Sequence, residues 1–369
     1  MRRAATLDLA VVGCGAVVER LYRGALRALE ARGIARVSAL VDPDPARTSA
    51  LGQHFPAARA FSTLADALAA RRVALVIVTS PARLHAEHAV AALGAGCHVL
   101  CEKPMTIGVT DAERMVAAAR DAGCVLAVGM TRRMYPCVAD AREVISSGTL
   151  GTDLRFVHRE GLVYEWPVAT DAAFRMATAG GGVLVDLGSH ALDLESTLLG
   201  ALRVTSYADD AQDGGVETNC RVELTGPVAR GVAQLSWNQP LVTALHVTGT
   251  LGELILDPRQ VGALRWRRHG DAWNTRVSTA TWPSDLALRG ARGMPRHHHD
   301  CIYYQIVAVL RAIVHGESVP ADGLDGLATA RSIEACYARP QPLCLPWLTD
   351  AEQTRMDLRH HGRERWTAA

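Results

Sequence analysis

Leu7-Asp8-Leu9-Ala10-Val11-Val12-Gly13-Cys14-Gly15-Ala16-Val17-Val18 is the stretch on which the reading of this chain turns. Six mostly apolar residues make a strand, and Gly13 breaks it. Val17, Leu21, Ala25, Leu26 and Leu29 then recur at helical spacing over residues 17–32. Glycines at a strand-to-helix turn let the backbone bend tightly and approach a pyrophosphate. The helix N-terminus that follows offers N–H groups and the positive end of its dipole. The candidate cofactor contacts here are Gly13, Gly15, Ala16 and Val17. Val18 stands where the G-x-G-x-x-G fingerprint has its third glycine. Any tight turn would use glycine, so the strand–turn–helix setting carries the dinucleotide reading. Asp42 closes the next strand, Arg36 to Val41. A carboxylate there accepts the ribose hydroxyls of NAD and repels the 2′-phosphate of NADP. The plainer alternative is a turn residue before Pro43.

Outward from this turn, strands and helices alternate. Val73 to Val78, Cys97 to Cys101 and Val125 to Met130 are strands; residues 64–70, 85–95 and 110–122 are helices. That rhythm predicts a doubly wound parallel sheet. Glu102-Lys103-Pro104 follows one of these strands, at the carboxyl edge where ligands of open α/β sheets bind. Lys103 is the single lysine among 39 lysines and arginines. A bias this strong reflects a GC-rich coding sequence. A lysine that persists under it is a candidate for chemistry arginine cannot supply, since lysine can lose its proton in a buried site and arginine effectively cannot.

Beyond residue 128 the pattern changes. Strand-like stretches recur at about 154–163, 203–208, 217–224, 229–237, 243–249, 252–257 and 261–267, with a helix at 182–199 as the main interruption. Successive strands with few helices predict a large, mainly antiparallel sheet. The chain therefore divides into residues 1–128, a dinucleotide-binding domain, and 129–369, a second α/β domain for substrate and oligomerisation. Residues 268–298 are expected to be irregular, His297-His298-His299 to lie in a loop, and the tail from Pro340 to form a surface strap. Gly180-Gly181-Gly182-Val183-Leu184-Val185-Asp186-Leu187-Gly188-Ser189-His190 carries the second group of chemical residues. Asp186 and His190 are four apart and share a helix face. An acid–base pair after a glycine hinge suits proton transfer from a hydroxyl, although a surface Asp–His pair would look the same.

Composition excludes several classes. The formal net charge is +1, with 49% hydrophobic and 21% charged residues. No apolar run approaches the ~20 residues of a membrane helix. No basic block suggests nucleic acid. The nine cysteines show no C-x-x-C spacing and no metal-ligand pattern, so neither a disulfide framework nor a metal site is expected. Met1-Arg2-Arg3 leads into the first strand without a signal-peptide pattern, and a cytoplasmic location is expected.

These motifs, in this order, resemble the Gfo/Idh/MocA family of oxidoreductases along almost the whole chain. Ser80-Pro81 with His85 resembles the family's T-P-x-x-x-H, and Ala92 to Pro104 matches A-L-x-x-G-x-H-V-x-x-E-K-P. Met130 to Pro136 resembles F-N-x-R-F-x-P, with Thr131 in place of the usual Asn, and Gly180 to His190 matches G-G-G-x-x-x-D-x-G-x-H. The resemblance implies a Rossmann domain, an open-sheet α/β domain, and homodimers or homotetramers. It implies that NAD, or less readily NADP, is held by Gly13, Gly15, Ala16, Val17, Asp42, Ser80, Pro81, His85, Glu102 and Lys103. It implies catalysis by Lys103, Asp186 and His190. With Arg133, His158 and Glu160, these would contact a sugar, cyclitol or amino-sugar substrate. Phe156-Val157-His158-Arg159-Glu160 resembles an inositol-dehydrogenase strand reading H-R-N, so Glu160 places a carboxylate where an amide usually stands. With Glu165 and Asp171 it suggests a substrate bearing an ammonium, as in aminoglycoside assembly. Ketosugar reduction, NAD-dependent glycoside cleavage and a non-catalytic NAD sensor are the alternatives.

Overall fold

The computed structural model describes residues 6–167, 171–212 and 214–343. The chain forms two compact units, 1–136 with 279–328 and 137–278 with 329–369. In the first, β1 (Leu7–Val12), β2 (Ala35–Val41), β3 (Arg59–Phe61), β4 (Leu75–Val78), β5 (His98–Cys101) and β6 (Leu126–Val128) form a parallel sheet in the order β3-β2-β1-β4-β5-β6. Between them run α1 (Arg23–Ala31), α2 (Pro45–Gly52), α3 (Leu64–Ala70), α4 (His85–Gly94) and α5 (Val109–Ala122). β4 is buried at all its positions, as a strand covered on both faces must be. Strand order reverses between β1 and β4, and ligands of such sheets bind outside the carboxyl ends of the strands at that switch point. A π-helical turn, Val18–Tyr22, precedes α1. α2 starts at Pro45 and is capped by Asp44, whose carboxylate accepts the Ala46 N–H at 2.9 Å.

The second unit is built on a nine-stranded sheet. Its strands are β7 (Leu154–Gly161), β8 (Arg203–Asp209), β9 (Asn219–Thr225), β10 (Ala229–Ser236), β11 (Ala244–Thr248), β12 (Gly252–Leu256), β13 (Ala263–Arg268) and β14 (Asn274–Val277). A short strand from the C-terminal part, β17 (Gln341–Pro342), completes it. The order is β14-β13-β12-β11-β7-β10-β9-β8-β17. All pairings are antiparallel except β7 with β10 and β8 with β17. β15 (Trp282–Pro283) and β16 (Arg292–Gly293) pair separately. Helices α6 (Pro136–Ser146), α7 (Met176–Ala179) and α8 (Ser189–Leu199) accompany this part of the chain. β7 alternates buried and exposed residues from Leu154 to Glu160. Its buried His158 is hydrogen-bonded to Glu195 of α8, so that face of the sheet is the one α8 covers.

The expected boundary at residue 128 needs correction. The first unit extends to residue 136 and takes back 279–328. The reason is α9 (His298–His315), whose Ile302, Ile306, Val307 and Leu310 share one core with Leu26 and Leu29 before β2 and Leu9 and Val11 of β1. A second correction concerns the histidine run. His298 and His299 open α9 instead of lying in a loop. Asp300 accepts the N–H groups of Arg296 at 2.8 Å and His297 at 3.0 Å, which fixes the start of the helix. A final helix, α10 (Gly323–Ala338), precedes β17. Residues 344–369 of the expected strap lie outside the described residues, as does Cys344; the eight other cysteines are free. Among the described residues no helix is long and apolar enough to cross a membrane, and no group of side chains could hold a metal ion.

Candidate active site

The β1 turn is closed tightly against the end of β4. Gly13 has φ +91°, and a Cβ there would lie 2.6 Å from Ser80 N and 2.7 Å from Ser80 Cα. Thr79 Oγ1 donates to the Gly13 carbonyl at 2.8 Å. Gly15 is open by contrast, with only the Arg47 guanidinium 3.8 Å from a Cβ. Asp42 is buried, and its carboxylate accepts the N–H of Cys14 and of Asp44, each at 2.9 Å. It thus ties the ends of β1 and β2 together while keeping acceptor positions to spare. Half-exposed Arg47 lies 3.9 Å from Asp42 and 3.5 Å from Asp44.

The Glu102-Lys103-Pro104 segment is held from both sides. Glu102, expected as a cofactor contact, accepts from Tyr22 Oη at 2.5 Å and from the Lys103 N–H at 3.0 Å. A Cβ on Gly129 would lie 3.0 Å from its carboxylate. His85, also expected at the cofactor, is 2% exposed. Its Nδ1 meets the Pro104 carbonyl at 2.9 Å and its Nε2 the Ser80 carbonyl at 2.7 Å. The ring is wedged between the Ser80-Pro81 and Lys103-Pro104 loops, its single N–H in the neutral form donating to one of the two carbonyls, so His85 braces the loops. Burial lowers its pKa, and the two carbonyls oppose that shift. Arg133, expected at the substrate, instead ties two segments of the first unit: its Nη1 lies 3.0 Å from the Pro320 carbonyl and 2.9 Å from Asp325.

One residue near Lys103 escaped the sequence reading. His298 Nδ1 lies 2.8 Å from Tyr135 Oη, their rings edge-on at 6.1 Å. Burial, then the charges of Arg132, His299 and Lys103, push its pKa down to about 4. A neutral imidazole thus stands in an electropositive neighbourhood. The available sequence signal was the phenol two residues after Arg133; nothing local linked it to position 298.

In the second unit the helical segment after Gly180-Gly181-Gly182 has a distinctive burial pattern. From 181 to 195 every residue is buried except Asp186 and His190, which are half-buried. The expected pair is therefore the polar opening in the first half of this helical segment; Ser196 and Thr197 are half-buried further along α8. Leu184–Gly188 is a π-helical turn leading into α8, a distortion often found at functional sites. Trp237 Nε1 donates to Asp186 Oδ2 at 3.2 Å. His158 and Glu160 lie deeper than expected, at 0% and 1% exposure. His158 Nδ1 is 2.9 Å from Glu195 Oε1, and its Nε2 is 3.8 Å from Glu160 Oε2. Glu160 is thus neither a solvated strand residue nor open to a ligand: the strand period puts positions 158 and 160 on the covered face. Glu165 is exposed, and Asp171 pairs with Arg175 at 2.9 Å.

Two family models match this chain. The oxidoreductase family model with an NAD-binding Rossmann fold covers residues 7–130, and the GFO/IDH/MocA C-terminal domain covers 138–255. This chain belongs to the Gfo/Idh/MocA oxidoreductase family. The D-glucoside 3-dehydrogenase of Escherichia coli K12 is 32% identical over 219 residues, spanning 58% of this chain and 60% of that protein. GenD2 from gentamicin A biosynthesis, solved with NAD, is 29% identical with a TM-score of 0.71, covering 92% of this chain and 95% of that one. A levoglucosan dehydrogenase solved with NADH and levoglucosan has a TM-score of 0.79 at 19% identity, covering 90% and 96%, which is a likeness of fold.

Membership makes the first unit an NAD-binding Rossmann domain, and its residues fit the cofactor. The Gly13 turn leaves no room for a side chain, Gly15 leaves a space in front of the helix N-terminus, and Asp42 holds a carboxylate at the end of β2. We propose that Asp42 makes NAD the preferred form, since it both repels a 2′-phosphate and partly neutralises Arg47. Asp42→Ser removes the repulsion and releases Arg47 to meet a phosphate. The ratio of kcat/KM for NAD over NADP should therefore fall by about tenfold or more, a loss of ~1.4 kcal/mol of discrimination. A wild type that works equally well with NADP overturns this preference.

Proposed function

We propose that this oxidoreductase oxidises a secondary hydroxyl of a sugar, cyclitol or amino-sugar substrate to a ketone. The observation that carries the reading is the exposure pattern of residues 181–195, which leaves Asp186 and His190 alone at a surface. NAD, when bound, supplies the hydride-accepting chemistry. His190 takes the hydroxyl proton. Lys103 supplies an N–H donor and a positive charge suited to stabilising the negative charge of a developing alkoxide. Asp186 orients the substrate through a neighbouring hydroxyl. The similarity to a D-glucoside 3-dehydrogenase supports a pyranoside-like substrate. NAD reduction with methyl β-D-glucoside, its 2-amino-2-deoxy analogue and myo-inositol tests the proposal. Absence of NADH with a broad panel of such polyols, while NAD binds, would favour a sensor.

An amino-bearing substrate, a step before transamination in aminoglycoside assembly, is supported by the 29% identity to GenD2. The ammonium would not be read by Glu160. Its carboxylate is 1% exposed and 3.8 Å from His158, which supports a structural role for it. Glu160→Gln should therefore change the kcat/KM ratio between methyl β-D-glucoside and its 2-amino analogue by less than about twofold, a difference of ~0.4 kcal/mol. A larger change would restore Glu160 as the ammonium contact.

A further inference from the structure

Every helix starts with about four N–H groups that have no partner within it. In the helical segment that carries Asp186 and His190, the first bond of the ladder runs from the Asp186 N–H to the Gly182 carbonyl. The amides of Gly182, Val183, Leu184 and Val185 lie ahead of it. One residue takes three of these four. The side chain of Glu217 accepts Gly182 N–H and Leu184 N–H through Oε1, each at 3.0 Å, and its backbone carbonyl accepts Val183 N–H at 3.1 Å. Tyr337 Oη donates to the same Oε1 at 2.7 Å. Glu217 is 0% exposed, and a carboxylate suits the positive end of a helix.

Two glycines of the Gly180-Gly181-Gly182 motif, Gly181 and Gly182, are explained by this clamp, while Gly180 ends α7 in the left-handed conformation. A Cβ on Gly182 would lie 2.0 Å from the Glu217 carbonyl oxygen, and one on Gly181 would lie 2.0 Å from Tyr337 Oη. The turn is bare of side chains because two other segments must press against it.

We propose that Glu217 is a positioning residue for His190 and Asp186, fixing the start of their helix and so the placement of their side chains. Burial, then the charge of Asp209, pushes the Glu217 carboxyl up to about 7, the cost of keeping a carboxylate in this interior. The proposal rests on the reading that His190 acts on the substrate, and the test separates the two.

Steady-state kinetics with NAD and methyl β-D-glucoside, or the best polyol of the panel, are compared in wild type, Glu217→Gln, Tyr337→Phe, His190→Ala and the two double variants. Glu217→Gln should lower kcat by ~10–10²-fold, the range for a small misplacement of a reacting group, with KM for NAD unchanged. Tyr337→Phe should lower it several-fold. In the His190→Ala background each change should cost less than about threefold, because a group that acts through His190 has nothing left to place. Unchanged kcat in folded Glu217→Gln, or losses that multiply fully with His190→Ala, overturn the positioning role. Near-normal turnover in His190→Ala overturns the catalytic reading instead. If Glu217→Gln does not fold, Tyr337→Phe carries the same comparison, since it leaves the carboxylate and removes one of its donors.

Discussion

Lys103→Met and His190→Ala should each lower turnover by ~10²–10⁴, the usual range for a positioned proton-transfer group. The expectation for Lys103 comes from its chemistry and its place. It is the single lysine in the chain, it follows β5 at the carboxyl edge of the Rossmann sheet, and its backbone is fixed by Glu102, which Tyr22 holds in turn and against which Gly129 leaves no room for a side chain. Lys103→Arg should fail almost as badly. A guanidinium keeps its charge but is larger and planar, so it cannot present a compact N–H donor where the ammonium does. NAD binding, followed by fluorescence, should survive all three changes within a few-fold, because none of them alters the Gly13 turn or Asp42. Turnover near wild type in Lys103→Met or in His190→Ala removes that residue from the mechanism.

Gly13→Ala should weaken NAD binding by ~10²-fold and destabilise the first domain by about 3 kcal/mol, the upper end of what a strained backbone conformation costs. Two independent penalties meet at this position. Its φ of +91° is open to glycine and costly to any L side chain. The added Cβ would meet backbone atoms of Thr79 and Ser80 at 2.6–2.7 Å, which cannot swing aside as a side chain could. The turn must shift, and with it the amides we propose to face the pyrophosphate. Gly15→Ala is the control. Its Cβ meets only the flexible Arg47 side chain at 3.8 Å, so thermal stability should stay close to wild type even if the methyl hinders the cofactor. Gly13→Ala with unaltered melting temperature and NAD affinity would remove the close approach from the explanation.

Much was legible along the chain because it is local. The alternation of apolar strands and amphipathic helices set the parallel sheet, and the run of strands after residue 150 set the mixed one. Gly13 and Gly15 marked the turn, and the four-residue spacing of Asp186 and His190 placed them on one helix face. These signals are carried by short-range sterics and by the 2.0 and 3.6 periods of the backbone. The chemistry of Lys103 was legible for a different reason, a composition bias that isolates it.

Partners distant in sequence were decided by the tertiary structure alone. α9 belongs with the Rossmann sheet because its apolar face finds α1 there, and an amphipathic pattern does not name what it packs against. His85 and Glu102 were expected as cofactor contacts, and the sequence could not show that they also brace loops, since the carbonyls and the phenol they meet come from other segments. Glu160 read as a ligand-facing carboxylate, yet the placement of α8 determined which face of β7 was buried. Glu217 carried no motif at all. A buried carboxylate must find its donors wherever folding brings them, and here they are the first amides of the helix that carries His190. Sequence specifies elements and reactive groups through local geometry, while folding decides which of those groups remain open to a substrate and which are consumed in holding the others still.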